Sequence, residues 1–333
     1  MSVISRNERA AAAAGTGRDI VAFAVRAPSI HNTQPWLWRV DGTRLELYAD
    51  RRRQLPVADP EGRHLAISCG AALQPAVVRA RALGQTCEVT QLPSPRDPDH
   101  LATVHLYPGR PDQDARAECE LLARRRTDRR RFTAWPLPED RLDELTSSVE
   151  VPGTTALTLR EAARRVRVGL LVSRALLAES SDPRYGAEQA RWTEPTVDGG
   201  VPETHRPTPH PRLGVSSRYD DPAAESLERD AVQGTDGLIV ITTEQDGPRD
   251  WLRTGVLLCR LWTGAMSAGL SVVPLSQVVE VAETRSALAE ELSPAGVAAA
   301  GHPQLLLRLG WQEISRNPLP PTGRRGVDEV LLP

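Results

Sequence analysis

A chain of 333 residues, 40% hydrophobic and 25% charged, has room for one large globular domain or two small ones. Its formal net charge of -2 excludes a global electrostatic pull toward nucleic acid or an anionic membrane surface. Cys69, Cys87, Cys119 and Cys259 form no Cys-x-x-Cys pair and stand at no zinc-ligand spacing, so they read as reduced, mostly buried thiols of a cytoplasmic protein. No apolar run approaches a membrane span, and residues 10–14 are too short and too weakly apolar for a signal-peptide core. Lys is absent, so every basic side chain is an Arg capable of bidentate recognition.

Residues 1–27 read as a helix, with Thr16 as a capping residue, Asp19 three positions on, and Pro28 ending the run. A polar loop follows. A hairpin leaves it: Trp36, Trp38 and Val40 alternate, Asp41-Gly42 make a two-residue turn, and Leu45 and Leu47 alternate again. Asp50-Arg51-Arg52-Arg53 reads as a solvated surface corner. Asp59-Pro60 then starts a helix, with Asp as cap and Pro in the first turn. Its Leu65, Cys69, Ala72, Leu73, Ala76, Val77 and Ala80 recur at three and four, and their small size predicts packing on several sides before Gly84 ends the helix. Residues 87–92 and 101–107 read as strands, and 108–116 as a polar connector. The expected boundary falls there, between a first half, 1–115, and a second, 116–333.

In the second half, residues 115–126 and 138–149 read as helices and 156–159 as a strand. Residues 161–179 form a helix with an apolar face through Val166, Leu170, Leu171 and Leu177. Pro, Gly and polar residues dominate 182–222, around Trp192, His205 and His210, which predicts a lid insertion rather than a disordered insert. The two histidines have no acidic or Cys partner at ligand spacing, so no metal site is expected. Gly237–Thr243 reads as a buried strand and 250–268 as a helix stopped by Gly269. Strands at 271–274 and 304–309, a short helix around Leu288, and an extended Pro-rich tail over 318–333 complete the chain.

The two long helices repeat one another. Gly70 to Gly84 and Gly255 to Gly269 are each fourteen residues apart, at a common offset of 185. At that offset Leu73 matches Leu258, Ala80 matches Ala265, and Val77 faces Trp262. Two such halves would bury the long helices against each other, as a homodimer does across a two-fold axis.

Two stretches carry chemistry. Pro28-Ser29-Ile30-His31-Asn32-Thr33-Gln34-Pro35-Trp36 offers an amide that both donates and accepts, beside hydroxyls and exposed backbone, which suits a flat heterocycle with mixed edges. Its other reading is a helix-to-strand connection whose Ser and Asn satisfy their own backbone. Arg124-Arg125-Arg126-Thr127-Asp128-Arg129-Arg130-Arg131-Phe132 is a cationic run with a hydroxyl inside it; it reads as a phosphate cradle or as a solvated helix end.

Together these stretches resemble the flavin-binding signatures of the nitroreductase superfamily. There, an Arg-x-Ser/Thr-x-basic stretch holds the FMN phosphate, and a Pro-Ser-x-x-Asn-x-Gln-Pro-Trp loop lies against the isoalloxazine. In ordinary members the phosphate stretch precedes the loop; here it follows. That order resembles the Acg-type actinobacterial branch, which looks like a nitroreductase dimer fused into one chain. The resemblance implies an α+β fold of two pseudo-symmetric halves, with central helices packed on antiparallel or mixed sheets. It implies FMN as cofactor, with Pro28, Ser29, Ile30 and Asn32 at the ring and Arg125, Thr127 and Arg129 at the phosphate. Arg324-Arg325 resembles the basic pair of the family's tail, although Gly326 stands where Pro usually follows. Leu275 and Ser276, in Pro274-Leu275-Ser276-Gln277, would bring backbone amides toward flavin N5; the other reading is a plain strand end.

Each motif occurs once, so one flavin site per chain and a monomer resembling a dimer are expected. No side-chain acid, base or nucleophile stands out, as suits flavin chemistry, and His31 is either a proton donor at the ring or a structural residue. The expected activity is FMN-dependent oxidoreduction, passing hydride or electrons from N5 to a small flat acceptor such as a quinone or nitroaromatic, with NAD(P)H as a candidate donor. Two other readings are an FMN-sequestering protein with a lidded site and a flavin-dependent tailoring oxidase or dehydrogenase.

Overall fold

A computed structural model describes residues 6–129, 132–193, 236–293, 301–311, 319 and 321–333. Arg130, Arg131, His205, His210 and the part of the expected lid beyond residue 193 lie outside them. The chain forms two compact units: Met1–Arg125 with Trp251–Cys259 and Gly323–Pro333, and Arg126–Asp250 with Arg260–Thr322.

In the first unit, helix α1 (Arg6–Ala24) leads through residues 25–35 into strands β1 (Trp36–Asp41) and β2 (Arg44–Ala49). Thr16 lies inside α1 and not at its start, so it does not serve as the helix cap. Trp36, Trp38, Leu45 and Leu47 are fully buried, because strand alternation sends them all to one face. The turn is one residue later than expected: Asp41 pairs with Arg44, and Gly42, at φ +57°, opens a Gly42-Thr43 turn. Strands β3 (Gln85–Gln91) and β4 (His100–Pro108) complete an antiparallel sheet in the order β1-β2-β4-β3.

Helix α2 (Arg63–Ala82) is buried along nearly its whole length, which is why small residues fill it. It starts at Arg63 and not at Pro60, since Gly62 takes a left-handed φ of +78° and breaks the run. Asp59 still caps it from outside, accepting from the amides of His64 at 3.1 Å and Leu65 at 2.8 Å. Gly84, at φ +81°, ends it. Helix α3 (Gln113–Arg124) starts at Asp112, whose carboxylate accepts from Ala115 N, and packs Ala115, Cys119 and Leu122 on Val78 and Ala82 of α2. That packing holds α3 in the first unit, so the division falls at Arg125 and not after residue 115. The Trp251–Cys259 stretch belongs to the first unit as well: a Cβ on Gly70 would collide with the Leu252 carbonyl, and one on Gly255 with the Ile67 carbonyl.

The second unit holds helix α4 (Glu139–Ser147), strand β5 (Thr154–Thr158), helices α5 (Ala162–Ser181) and α6 (Pro183–Thr193) and strand β6 (Gly237–Thr243). Helix α7 (Pro248–Ser267) supplies the stretch already described and returns to this unit, which continues with strand β7 (Leu270–Pro274), helices α8 (Gln277–Glu280) and α9 (Ala282–Leu292), and strand β8 (His302–Trp311). The sheet is antiparallel in the order β5-β6-β8-β7, the same path through four strands as in the first unit. The fold is therefore α+β with a repeated topology, and both sheets are antiparallel rather than mixed. In the first unit a parallel bridge joins Trp38 of β1 to Leu331 of the tail.

Two expectations fail in this unit. Val166, Leu170 and Leu177 are 63%, 64% and 60% exposed, because α5 turns Val168, Val172 and Ala175 toward the core. Residues 183–193 are helical where irregular lid was expected. Pro183 suits a first helical position, and Asp182 accepts from Arg184 N at 2.9 Å. Among the described residues no helix is long and apolar enough to cross a membrane, and no cluster of His, Cys, Asp or Glu could hold a metal.

Candidate cofactor site

The first unit's loop between α1 and β1 is strained. His31, Asn32 and Gln34 have φ of +45°, +56° and +51°, a left-handed conformation that side chains with a Cβ adopt at roughly 1–2 kcal/mol each. Asn and His tolerate it better than Gln does. Such backbone persists only where its surroundings fix it. Ser29 Oγ accepts from Gln34 N at 2.9 Å, Ser68 Oγ of α2 accepts from Ile30 N at 3.2 Å, and Arg53 Nε donates to Thr33 O. Ser29 thus satisfies loop backbone. His31, Asn32 and Gln34 are buried; Pro28, Ser29 and Ile30 are half-buried.

Residues 323–325 of the tail close on this loop. Asn32 Nδ2 donates to Gly323 O at 3.1 Å, and Arg324 Nη1 donates to Asn32 Oδ1 at 2.9 Å. Arg325 N donates to Gln34 Oε1 at 2.8 Å. The amide of Asn32, expected at a ring edge, is therefore engaged by the tail on both its oxygen and its nitrogen.

The two tail arginines diverge. Arg325 Nη1 donates to Gln34 O at 3.1 Å, Trp36 O at 3.3 Å and Asp50 Oδ2 at 3.5 Å, and its Nη2 donates to Glu329 O at 2.6 Å. Burial pushes this guanidinium's pKa down, and Asp50 beside it acts the other way. The phosphate role expected of Arg325 does not fit this geometry: both its Nη1 and its Nη2 already meet protein acceptors. Arg324 Nη2 instead donates to Arg26 O at 3.4 Å, and the buried Arg125 donates to the same oxygen through its own Nη2 at 3.4 Å. Two like charges this close repel by roughly 2–4 kcal/mol in a near-surface dielectric. The arrangement fits a multiply charged anion that takes up both.

Asp50, expected in a solvated corner, is 2% exposed. Arg52 covers it from the solvent side, Nε to Oδ1 at 2.8 Å, while Arg51 turns away to Asp99 at 2.6 Å. Arg53 and Asp50 are the residues that sequence reasoning missed as parts of the site, and Gln34, though inside the loop motif, carried no role of its own there. Arg325 lies 275 positions from Asp50 and 291 from Gln34, so no local spacing could have exposed those pairings, while Arg53 reaches Thr33 across 20 positions from a charge run that reads as a solvated corner.

The remaining predicted residues belong to the second unit. Thr127 and Arg129 are half-buried on either side of a buried Asp128. The Leu275 amide, expected near a flavin N5, donates to Leu306 O at 2.8 Å, and its side chain lies in the core with Val273, Val278 and Leu306. That amide belongs to the sheet. Ser276 opens α8, its carbonyl accepting from Val279 and Glu280.

No protein-family model matches the chain. It is 37% identical over 321 residues to "Putative NAD(P)H nitroreductase Rv3131" of Mycobacterium tuberculosis, covering 96% of this chain and 91% of that one. It is 31% identical over 332 residues to "Putative NAD(P)H nitroreductase acg" of the same organism, with 94% of each covered. A solved structure, the FMN- and NADPH-dependent nitroreductase NfnB from sphigopyxis sp. strain HMH, is 19% identical at a TM-score of 0.40, covering 64% of this chain and 96% of that one.

Proposed function

Because this chain belongs to the nitroreductase family, alongside the mycobacterial Rv3131 and acg proteins, we propose that it is an FMN-dependent oxidoreductase. Bound FMN supplies hydride or electron transfer at its N5, toward a flat acceptor such as a quinone or nitroaromatic. The names of its relatives point to NAD(P)H as donor.

The observation that carries the reading is the convergence of Arg125 and Arg324 on the Arg26 carbonyl, next to a loop held in left-handed backbone. Arg125 and Arg324 would hold the phosphate, each through charge-assisted hydrogen bonds worth roughly 1.5–3 kcal/mol. Thr127 and Arg129 join them on the strength of the Arg-x-Thr-x-Arg pattern alone. Residues 28–32 would face the ring, fixed before binding by Ser29, Ser68 and Arg53, so that little ordering entropy remains to be lost. His31 is buried at this loop; a proton-donor role for it belongs to the same proposal. The acceptor is a small molecule, and the reduced thiols suit a cytoplasmic setting.

The purified protein should be yellow and release one FMN per chain on acid treatment, as judged by chromatography. Anaerobic addition of NADH or NADPH should bleach it, and a quinone or nitroaromatic should restore the colour. FAD, two flavins per chain, or a flavin that neither nicotinamide reduces would count against the reading.

A further inference from the structure

We propose that Asp50 is a positioning residue for the cofactor loop, acting through Arg325. The inference rests on the FMN reading above, but it adds a residue that touches none of the proposed cofactor contacts. The loop's left-handed His31, Asn32 and Gln34 are held from two directions. On one side stand Ser29, Ser68 and Arg53. On the other stands the tail, through Gly323 and Arg324 on Asn32 and Arg325 on Gln34. The tail is in turn anchored by the buried Arg325 guanidinium, which grips Gln34 O, Trp36 O, Glu329 O and the Asp50 carboxylate.

Three of those acceptors are neutral carbonyls, and Asp50 is the carboxylate in the set. A guanidinium in this buried place keeps its charge at low cost only beside a carboxylate. Asp50 is well placed to supply one, being 2% exposed and directly after β2, where Asp50 N donates to Pro35 O at 3.0 Å. The same residue therefore fixes the loop's exit at Pro35 through its amide and the tail's entry at Arg325 through its carboxylate. Removing its charge while keeping its shape should loosen tail and loop together, Arg324 with them, and Arg324 is one of the two cations on the Arg26 carbonyl.

The test uses the full chain with Asp50→Asn, Arg325→Gln, Arg52→Ala, and Asp50→Asn combined with Arg325→Gln. FMN is titrated into flavin-free protein and read by fluorescence quenching, and amide hydrogen exchange is followed on the same flavin-free samples. Asp50→Asn should weaken FMN binding about tenfold, equivalent to about 1.4 kcal/mol. It should speed exchange in residues 28–35 and 323–329 while leaving β6 unchanged. Arg52→Ala removes the solvent-side partner of the same carboxylate, on a side chain 78% exposed, and should change neither readout. The double variant removes both buried charges together, so it should fold even where Asp50→Asn does not, and it should bind FMN no more weakly than Arg325→Gln alone, since Asp50 acts through Arg325.

Wild-type affinity in Asp50→Asn, exchange that rises evenly through the chain, or additive losses in the double variant would each overturn the proposal. If the wild-type protein takes up no FMN, the cofactor reading falls. The coupling of tail to loop would then stand or fall on the exchange pattern.

Discussion

Gly70 and Gly255 occupy equivalent places in a reciprocal contact. A Cβ on Gly70 would strike the backbone of Leu252, and a Cβ on Gly255 would strike the backbone of Ile67. Ile67 and Leu252 stand at the same offset of 185 as the glycines themselves. Residue i meets j′ and i′ meets j, the signature of a self-complementary, two-fold contact, made here within one chain. Helices α2 and α7 approach so closely that no side chain fits at either point.

Gly70→Ala and Gly255→Ala should therefore each destabilise the protein by about 3 kcal/mol, the upper range for overpacking, because the obstructing atoms are backbone and cannot rotate aside. Urea unfolding would show a lowered midpoint at an unchanged slope. By contrast, Gly186→Ala, where no atom lies within 4 Å of the added methyl, should be neutral or slightly stabilising inside α6.

Arg125→Ala and Arg324→Ala should each weaken FMN binding by one to two orders of magnitude, from the loss of about 1.5–3 kcal/mol of charged hydrogen bonding. Arg124, exposed and adjacent, should matter little. Equal losses at all three positions, in a fluorescence titration, would describe a diffuse basic patch instead of a built cradle.

In the second unit Arg308 Nε donates to Asp236 Oδ2 at 2.6 Å, and the guanidinium lies 4.7 Å from the centre of the Phe132 ring. The pair is buried, Asp236 at 1% side-chain exposure. Arg308→Met alone should cost about 3 kcal/mol, since it removes the hydrogen-bonded partner of an interior carboxylate and leaves it only the neighbouring Arg165 charge. Arg308→Met with Asp236→Leu should recover most of that loss. Thermal or urea unfolding would measure both, and a double variant as unstable as the single would mean that Phe132 packing, not charge, dominates.

The thiols should be inert near neutral pH. Burial pushes Cys87 up to about 11 and Cys259 up to about 12, and raises Cys69 and Cys119 as well. A folded-state pKa above the ordinary 9.0 means that their contribution to stability is complete below pH 9 and is lost as pH rises through about 11 to 12. The native protein should resist alkylation at pH 8, take up four labels once unfolded, and show an unfolding midpoint that falls steeply only above pH 9. Rapid labelling of the native protein at pH 8 would contradict this burial.

Local periodicity carried a large share of this architecture. Alternation at Trp36 and Trp38, small residues at helical spacing in α2, and glycines at φ +57° and +81° all follow from backbone geometry, so they are legible in one dimension. The repeat was legible too, because its Gly pairs share a single offset. Tertiary structure decided which of several similar residues does what. Val166 and Val168 are near neighbours of the same type, yet one is exposed and the other is in the core, since only the helix's placement on its sheet selects the face. Arg324 and Arg325 are chemically identical, yet one meets Asn32 and the Arg26 carbonyl while the other is locked to Asp50. A charge run is indistinguishable from a solvated corner until the chain brings a partner to it. For Asp50 that partner lies 275 residues away, beyond the reach of any local pattern.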